Sequence, residues 1–394
     1  MEELIVKNFG AIKDIKISLK DLTIFIGKSG TGKSTLSKLI AIFRNIDFWN
    51  EVKSFDEFFK EYQIQKFLQA DTFISYKSDY LHITYKDTKL GKTNFSEKFI
   101  KEHKKLVELE LVKKNTQDNI KENIKENINS VSNYNIFQSI ISQSFIIPAE
   151  RLLASVLVES YAVLDKENIV RTLPKPLLDF VAEFNDISKT SNNYNIPIFD
   201  VSYKKGEDGL DYIVLPDKTE LLLRFAASGM QTVIPALLIL EHYAQNNETK
   251  KSFTFEEPEL NLFPTAQKNL VEFMAEKVLN KGHQLVICTH SPYILTSFNN
   301  LLYAHQVQKE YPLSKKQVTE VISESKFVSS DTISIYYLPL QEELEEYETY
   351  AVDLLDKDLG LMSGNELDDV SEYINNDFEQ LITIYREYQR TNRK

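Results

Sequence analysis

The sequence predicts an α/β fold in which apolar strands end in residues suited to holding a nucleotide. Three observations carry this. The apolar segment at 22–26 runs straight into the glycine-rich stretch GKSGTGKST at 27–35, after which Leu36, Leu39, Ile40 and Phe43 recur at helical spacing. A second apolar strand, SFTFEEPE, ends in Glu256 and Glu257, and a third, QLVICTH, ends at His290. A buried strand, a glycine loop and a helix in that order form the context a phosphate-binding loop requires.

Before that loop, Leu4 to Val6 reads as one strand and Ile12, Ile15, Ile17 and Leu19 as another. Residues 51 to about 145 are more polar; FISYKSDYLHITYKD alternates as a hairpin does, and a lysine- and glutamate-rich helical stretch follows. Within it, NIKENIKENIN at 119–129 repeats Ile120, Ile124 and Ile128 four apart, as a solvated helix with a narrow apolar stripe or a short partner-binding arm would. From 150 to 190 the pattern is helical; IFDVSYKKGEDGLDYIVL then reads as two strands joined around Gly206 and Gly209, and VIPALLILEHYA as a helix. The expected organisation is a split core at 1–50 and 196–310, an inserted hairpin and helical region at 51–195, and an acidic, mainly helical region at 311–394.

Composition narrows the function classes. The 394 residues have room for two or three domains, and 42% hydrophobic with 26% charged residues is ordinary globular usage. No run approaches the roughly 18 to 20 apolar residues of a membrane span, and MEELIVKNFG carries acids where a secretory leader carries bases. A cytoplasmic protein without a membrane partner is expected. The single cysteine, Cys288, excludes an internal disulfide and a multi-cysteine zinc site, and in QLVICTH it reads as a small buried hydrophobe. A net charge of −12 argues against a uniformly basic nucleic-acid surface, although a local basic patch could still bind nucleic acid.

Gly27, Gly32, Lys33 and Ser34 meet the pattern G-x-x-x-x-G-K-[ST]. With Ser29, Gly30 and Thr35 they form a loop whose backbone N–H groups can curl around phosphate oxygens at a helix N-terminus. Lys33 would reach the β- and γ-phosphates of ATP, and Ser34 would ligate Mg2+. The same site needs a carboxylate on a neighbouring strand; by position Glu256 would hold the metal through water and Glu257 would act as general base. Paired acids after a strand are otherwise a solvated turn. Ser228 and Gly229 in ASGMQ, with Gln231, stand at a helix start, where hydroxyl and amide form an anion site or simply a cap. His290 could contact the γ-phosphate and sense hydrolysis, or be a satisfied structural histidine.

These elements, in this order, resemble the ATP-binding-cassette ATPases, with Walker A at 27–35, signature at 227–231, Walker B at 253–257 and switch histidine at 290. More narrowly, NFGAIKDIKISLKDLTIFIGKSGTGKST, IIPAER, ASGMQ, FEEPELNLFP and THSPYIL resemble the SMC- and OLD-like bacterial ATPases, including ATPase subunits of two-component anti-phage systems of the Septu or PARIS kind. The resemblance implies an ABC-type P-loop head with a mixed β-sheet, and ATP sandwiched between the Walker motifs of one copy and Ser228 and Gly229 of another. That means a homodimer or higher even oligomer. It also makes Glu150 and Arg151 secondary candidates, Arg151 as a phosphate-neutralising group or as half of a surface ion pair.

Two positions depart from the pattern: Glu256 replaces the usual aspartate, and Asn261 stands where many relatives carry histidine. OLD nucleases continue into a TOPRIM domain, but only about 95 residues follow residue 300, without an evident glutamate and D-x-D cluster. The first reading is therefore an ATP-switched defence sensor or scaffold controlling a separate effector such as a nuclease. A second is an SMC-like DNA-repair ATPase that clamps DNA, with the lysines at 98–125 as contacts. A third is a transporter's nucleotide-binding subunit.

Overall fold

A computed structural model describes residues 2–49, 53–91, 93–101, 142–158, 173–190, 193–245, 249–312, 315–345, 347, 349–356 and 359–362. The chain opens with β1 (Glu2–Phe9) and β2 (Ile12–Leu19), joined at Gly10, whose φ of 60° suits a tight turn. In β2 Ile15, Ile17 and Leu19 point inward while Lys16 and Ser18 face outward, the period of a strand covered on one side. Next comes β3 (Leu22–Ile26), all five residues buried, and α1 (Lys33–Phe43). The short helices α2 (Ile46–Trp49) and α3 (Phe55–Glu61) precede β4 (Leu68–Lys77) and β5 (Leu81–Lys86), which pair as the expected hairpin. Strands β1, β2, β4 and β5, with two-residue strands at 89–90 and 94–95, make an antiparallel sheet.

The second sheet carries the site. Counting those two short strands as β6 and β7, its members are β8 (Gln143–Ile147), β13 (Lys251–Glu256), β14 (Gln284–Thr289), β3, β15 (Ile333–Tyr337) and β16 (Val352–Asp353). The first five run parallel, in the spatial order β8-β13-β14-β3-β15. Residues of β13, β14 and β15 are buried without alternation because both faces are covered. Leu22, Ile24 and Ile26 enter a core with Leu237, Met274 and Phe298, which lie on the helices α6 (Ser228–Gln245), α7 (Pro264–Lys277) and α8 (Pro292–Glu310). Phe25, Val286 and Cys288 enter a second core with Leu36 and Phe43 of α1 and Val6 and Ile17 of the antiparallel sheet. Cys288 is thus a buried hydrophobe, and burial pushes its thiol well above the ordinary range.

Between these parts lie α4 (Ala154–Leu157), α5 (Lys175–Ser188) and a small antiparallel sheet of β9 (Tyr194–Ile196), β10 (Val201–Lys205), β11 (Asp211–Val214) and β12 (Glu220–Leu222). The pair β10–β11 is the hairpin expected around Gly206 and Gly209. The two sheets are locked by Arg44 at the end of α1. Its Nε and Nη2 bind the two oxygens of Glu2 on β1, both at 2.8 Å, while Nη1 reaches Ser252 on β13 and Tyr76 on β4 also donates to Glu2.

The expected domain boundaries need widening. Strand β8 falls in the segment read as insertion and β15 in the segment read as an acidic tail, yet both belong to the sheet that holds the phosphate loop. In the tail, β15 pairs directly with β3, matching Tyr337 to Ile26. The tandem repeat at 119–129, most of the lysine series at 98–125 and the expected helical end beyond 362 lie outside the described residues.

Candidate nucleotide and hydrolysis site

The loop between β3 and α1 is shaped by glycine at two close approaches. A Cβ on Gly27 would stand 2.4 Å from the Leu338 carbonyl oxygen, because Leu338 donates its amide to Ile26 and draws the chain after β15 against the loop. Gly32 caps α1 at φ 97°, and a Cβ there would meet Ile12 at 2.8 Å. Neither position tolerates a side chain, so the backbone amides of 27–35 present themselves without cover. Lys33 is buried, and its Nζ donates to the carbonyls of Gly27 and Lys28 at 2.7 Å each. Burial lowers its pKa, opposed by Cys288, Glu257 and Glu259. Ser34 is exposed in the first turn of α1, Thr35 is buried, and Ser29 and Gly30 lie in the exposed crest of the loop.

Parallel pairing fixes what surrounds the loop. Strand β14 lies between β3 and β13, so its C-terminal end, with Thr289 and His290, stands between the phosphate loop and Glu256 and Glu257. The Glu256 carboxylate is 6% exposed, with Oε1 lacking a hydrogen-bond partner. Burial raises its pKa, with Glu150 and Glu257 adding to the effect and Lys38 and the Ala149 amide opposing it. An orphaned buried carboxylate oxygen costs about 1–3 kcal/mol unless something positive or protic meets it. A carboxylate oxygen of this kind and a serine hydroxyl such as that of Ser34 are the hard-oxygen donors that Mg2+ accepts, an ion that takes few protein ligands and keeps its waters.

Glu257 differs sharply. Its φ is 44°, a left-handed backbone costing about 1–3 kcal/mol for a residue with a Cβ, maintained only where neighbours fix it. Its amide donates to the Cys288 carbonyl at 2.8 Å. The result aims its carboxylate out of the sheet: Oε1 lies 3.9 Å from His290 Nε2, and the two side chains are 35% and 34% exposed. A general base needs such partial access, and Glu256 lacks it.

Arg151 corrects the surface ion pair that the sequence allowed. It is fully buried, in the turn of Ala149–Leu153 after β8, so it forms no surface ion pair, and its bonded donors turn to backbone carbonyls. Its Nη1 donates to the carbonyls of Pro148 at 3.1 Å and Glu256 at 2.7 Å, its Nη2 donates to the carbonyl of Glu257 at 2.7 Å, and the guanidinium lies 4.8 Å over the Phe255 ring. Desolvation lowers its pKa to about 10, opposed by Glu259, Glu257, Glu256 and Glu150, so it stays charged at neutral pH. Charge-assisted bonds contribute about 1.5–3 kcal/mol each, and three of them offset a burial penalty of several kcal/mol. Glu150 itself is exposed.

Glu259 is not singled out by any sequence motif. It accepts from the Thr289 hydroxyl at 2.9 Å and the His290 amide at 2.7 Å, tying the turn after β13 to the end of β14. The EEPE segment displayed this acid, but nothing local tells which of three carboxylates turns back to the sheet. Lys28 in the phosphate loop pairs with Glu343 of the tail, which also accepts from Leu340 and Tyr337.

Ser228 and Gly229 open α6 against the loop after Glu257, where a Cβ on Gly229 would meet the Asn261 carbonyl at 2.7 Å. Asn261 itself adopts φ 60° and donates to Thr232 at 3.2 Å, so the residue that departs from the expected histidine braces the helix start. Gln231 donates to Ala226 and accepts from Ser155, which makes it a strut of the turn in this conformation.

A phosphate loop on a parallel strand, paired acids two strands away and a histidine strand between them define a P-loop ATPase head of mixed α/β architecture. Residues 1–153 and 149–295 match the AAA ATPase domain family, and the chain belongs to it. No curated protein matches the chain in sequence. Among solved structures it is loosely similar to the SMC head domain from Thermotoga maritima, at 12% identity and TM-score 0.35, over 75% of this chain and 90% of that one. It is likewise similar to the Smc head domain with an extended coiled coil from Pyrococcus furiosus, bound there to the C-terminal domain of ScpA, at 13% identity and TM-score 0.37, over 75% and 92%. No helix among the described residues is long and apolar enough to cross a membrane.

Proposed function

We propose that this chain binds MgATP on the loop 27–35 and hydrolyses it as one half of an ATP-gated dimer whose output is a separate effector. The observation that carries hydrolysis is the facing pair Glu257 and His290, 3.9 Å apart and both open to solvent beside the phosphate loop. In this reading the loop amides and Lys33 hold the β- and γ-phosphates. Ser34, and Glu256 through water, hold Mg2+, which supplies charge neutralisation when bound. Glu257 takes the proton of the attacking water, and His290, held at its amide by Glu259, reports whether a γ-phosphate is present.

Support for the dimer comes from exposed apolar side chains next to three of the motifs. Phe225 is 66% exposed three residues before Ser228, Phe263 is 74% exposed two residues after Asn261, and Tyr293 is 52% exposed three residues after His290. Large exposed apolar groups beside the motifs are suited to burial by a second copy. Ser228 and Gly229 would then complete the partner's nucleotide site.

The wording shared with SMC- and OLD-like ATPases supports an anti-phage role, in the cytoplasm, as sensor or scaffold for an effector such as a nuclease. Lys98, in the described part of the lysine series, lies 3.9 Å from Asp79 and over the Tyr80 ring, a geometry that gives the DNA-clamp reading no help. Co-purification of the chain with its genomic neighbours, with and without ATP, tests the switch. An ATP-dependent complex and loss of phage resistance on deletion are expected; no complex and no phage phenotype would sink the effector reading.

A further inference from the structure

We propose that Arg151 is a positioning residue of the hydrolytic site, acting through the backbone of Glu256 and Glu257 to aim the Glu257 carboxylate beside His290. This rests on the reading of Glu257 as the general base.

A left-handed residue bearing a Cβ relaxes toward extended or helical geometry whenever its flanking peptide planes are free to turn. Here both planes are held. The plane before Glu257 is fixed at its N–H by the Cys288 carbonyl and at its C=O, that of Glu256, by Arg151 Nη1. The plane after it is fixed at the Glu257 carbonyl by Arg151 Nη2 at 2.7 Å, with the Leu260 amide as a second, longer donor at 3.1 Å. One guanidinium therefore holds two successive carbonyls, and the kink between them projects the Glu257 side chain away from β13 and toward solvent. Without the kink, a strand continuing from Glu256 would place residue 257 on the opposite face by simple alternation.

Arginine is suited to this by its planar fork, which presents two donors in fixed relative directions; a lysine ammonium can meet one carbonyl squarely but not both. The fork is itself fixed, by the Pro148 carbonyl on one side and the Phe255 ring beneath it. Arg151 is separated from the acids by more than a hundred residues in sequence, so the turn after β8 sets the geometry of the turn after β13. Full burial keeps water from competing for these carbonyls.

The test uses the full chain with Arg151→Lys and Arg151→Gln, each alone and combined with Glu257→Gln, in single-turnover ATP hydrolysis. ATP affinity and thermal unfolding are measured in parallel. A misplaced base predicts that Arg151→Lys slows hydrolysis by about 10- to 100-fold with ATP affinity nearly unchanged. Because Arg151 acts through Glu257, adding Arg151→Lys to Glu257→Gln should slow the residual rate by less than about twofold. Wild-type hydrolysis by Arg151→Lys would overturn the proposal, as would a full further loss in the Glu257→Gln background. Failure of both Arg151 variants to fold with normal ATP affinity would also overturn it, by making Arg151 a residue of core stability. If Glu257→Gln alone hydrolysed ATP at the wild-type rate, the base assignment would fall on its own, so the two failures are distinguishable.

Discussion

His290 and Glu257 face each other at 3.9 Å from the ends of adjacent strands, and both are held there through their main chains. Glu259 binds the amide of His290, while Cys288 and Arg151 bind the peptide groups around Glu257. The side chains stay partly exposed, while the frame that carries them is tied down. This division between a fixed backbone and partly exposed side chains leads to the following expectations.

Lys33→Ala removes the only buried cation of the loop and should abolish ATP binding. Saturation to 100 times Kd stabilises a protein by about 2.7 kcal/mol, so the wild-type chain should melt higher with MgATP and the variant should not. Equal thermal shifts in both would contradict the assignment of the loop.

Glu259→Ala leaves the Thr289 hydroxyl and His290 amide without their acceptor. Turnover should fall by about 10- to 100-fold as the end of β14 drifts, with ATP affinity little changed. A rate within twofold of wild type would show that the tie to β14 is dispensable.

Gly229→Ala sets two effects against each other. Alanine gains about 1 kcal/mol of helix propensity, but a Cβ 2.7 Å from the Asn261 carbonyl overpacks by about 1–3 kcal/mol, so a net loss of about 1 kcal/mol is expected. The displaced Asn261 loop should also weaken ATP-dependent dimerisation, measured by analytical ultracentrifugation, while ATP binding to the monomer persists.

Glu2 gives a pH dependence. Desolvation would raise its pKa, but the charge and hydrogen bonds of Arg44 outweigh this and hold the carboxyl below the ordinary 4.5. A carboxylate depressed in the folded state stabilises above its unfolded pKa and loses that contribution as pH falls through the folded value. Glu2→Gln should therefore cost about 3–5 kcal/mol at pH 7, where it strands buried Arg44, and should flatten the loss of stability below pH 4.5. Parallel urea titrations of both proteins at pH 7 and pH 3.5 measure it.

The parts legible in sequence are those written locally. The phosphate loop needs nine adjacent residues, and the helix that follows it shows its period within three turns. Buried parallel strands read as unbroken apolar runs for the same reason they are buried on both faces. What stayed hidden depends on pairing across the chain. The run Ile333–Tyr337 looks like any short apolar segment, and only its register with β3 makes it part of the nucleotide sheet. Arg151 is equally opaque: a charged residue in IIPAER reads as a ligand or a surface group, whereas its carbonyl partners come from the turn after β13.

In the proposed function Glu257 drives hydrolysis inside an ATP-held dimer. The most direct measurement is the turnover of Glu257→Gln together with its mass in solution under MgATP. Intact ATP binding, a rate lowered by at least about a hundredfold and accumulation of an ATP-bound dimer are expected. Undiminished turnover, or a variant that stays monomeric while saturated with ATP, would contradict it.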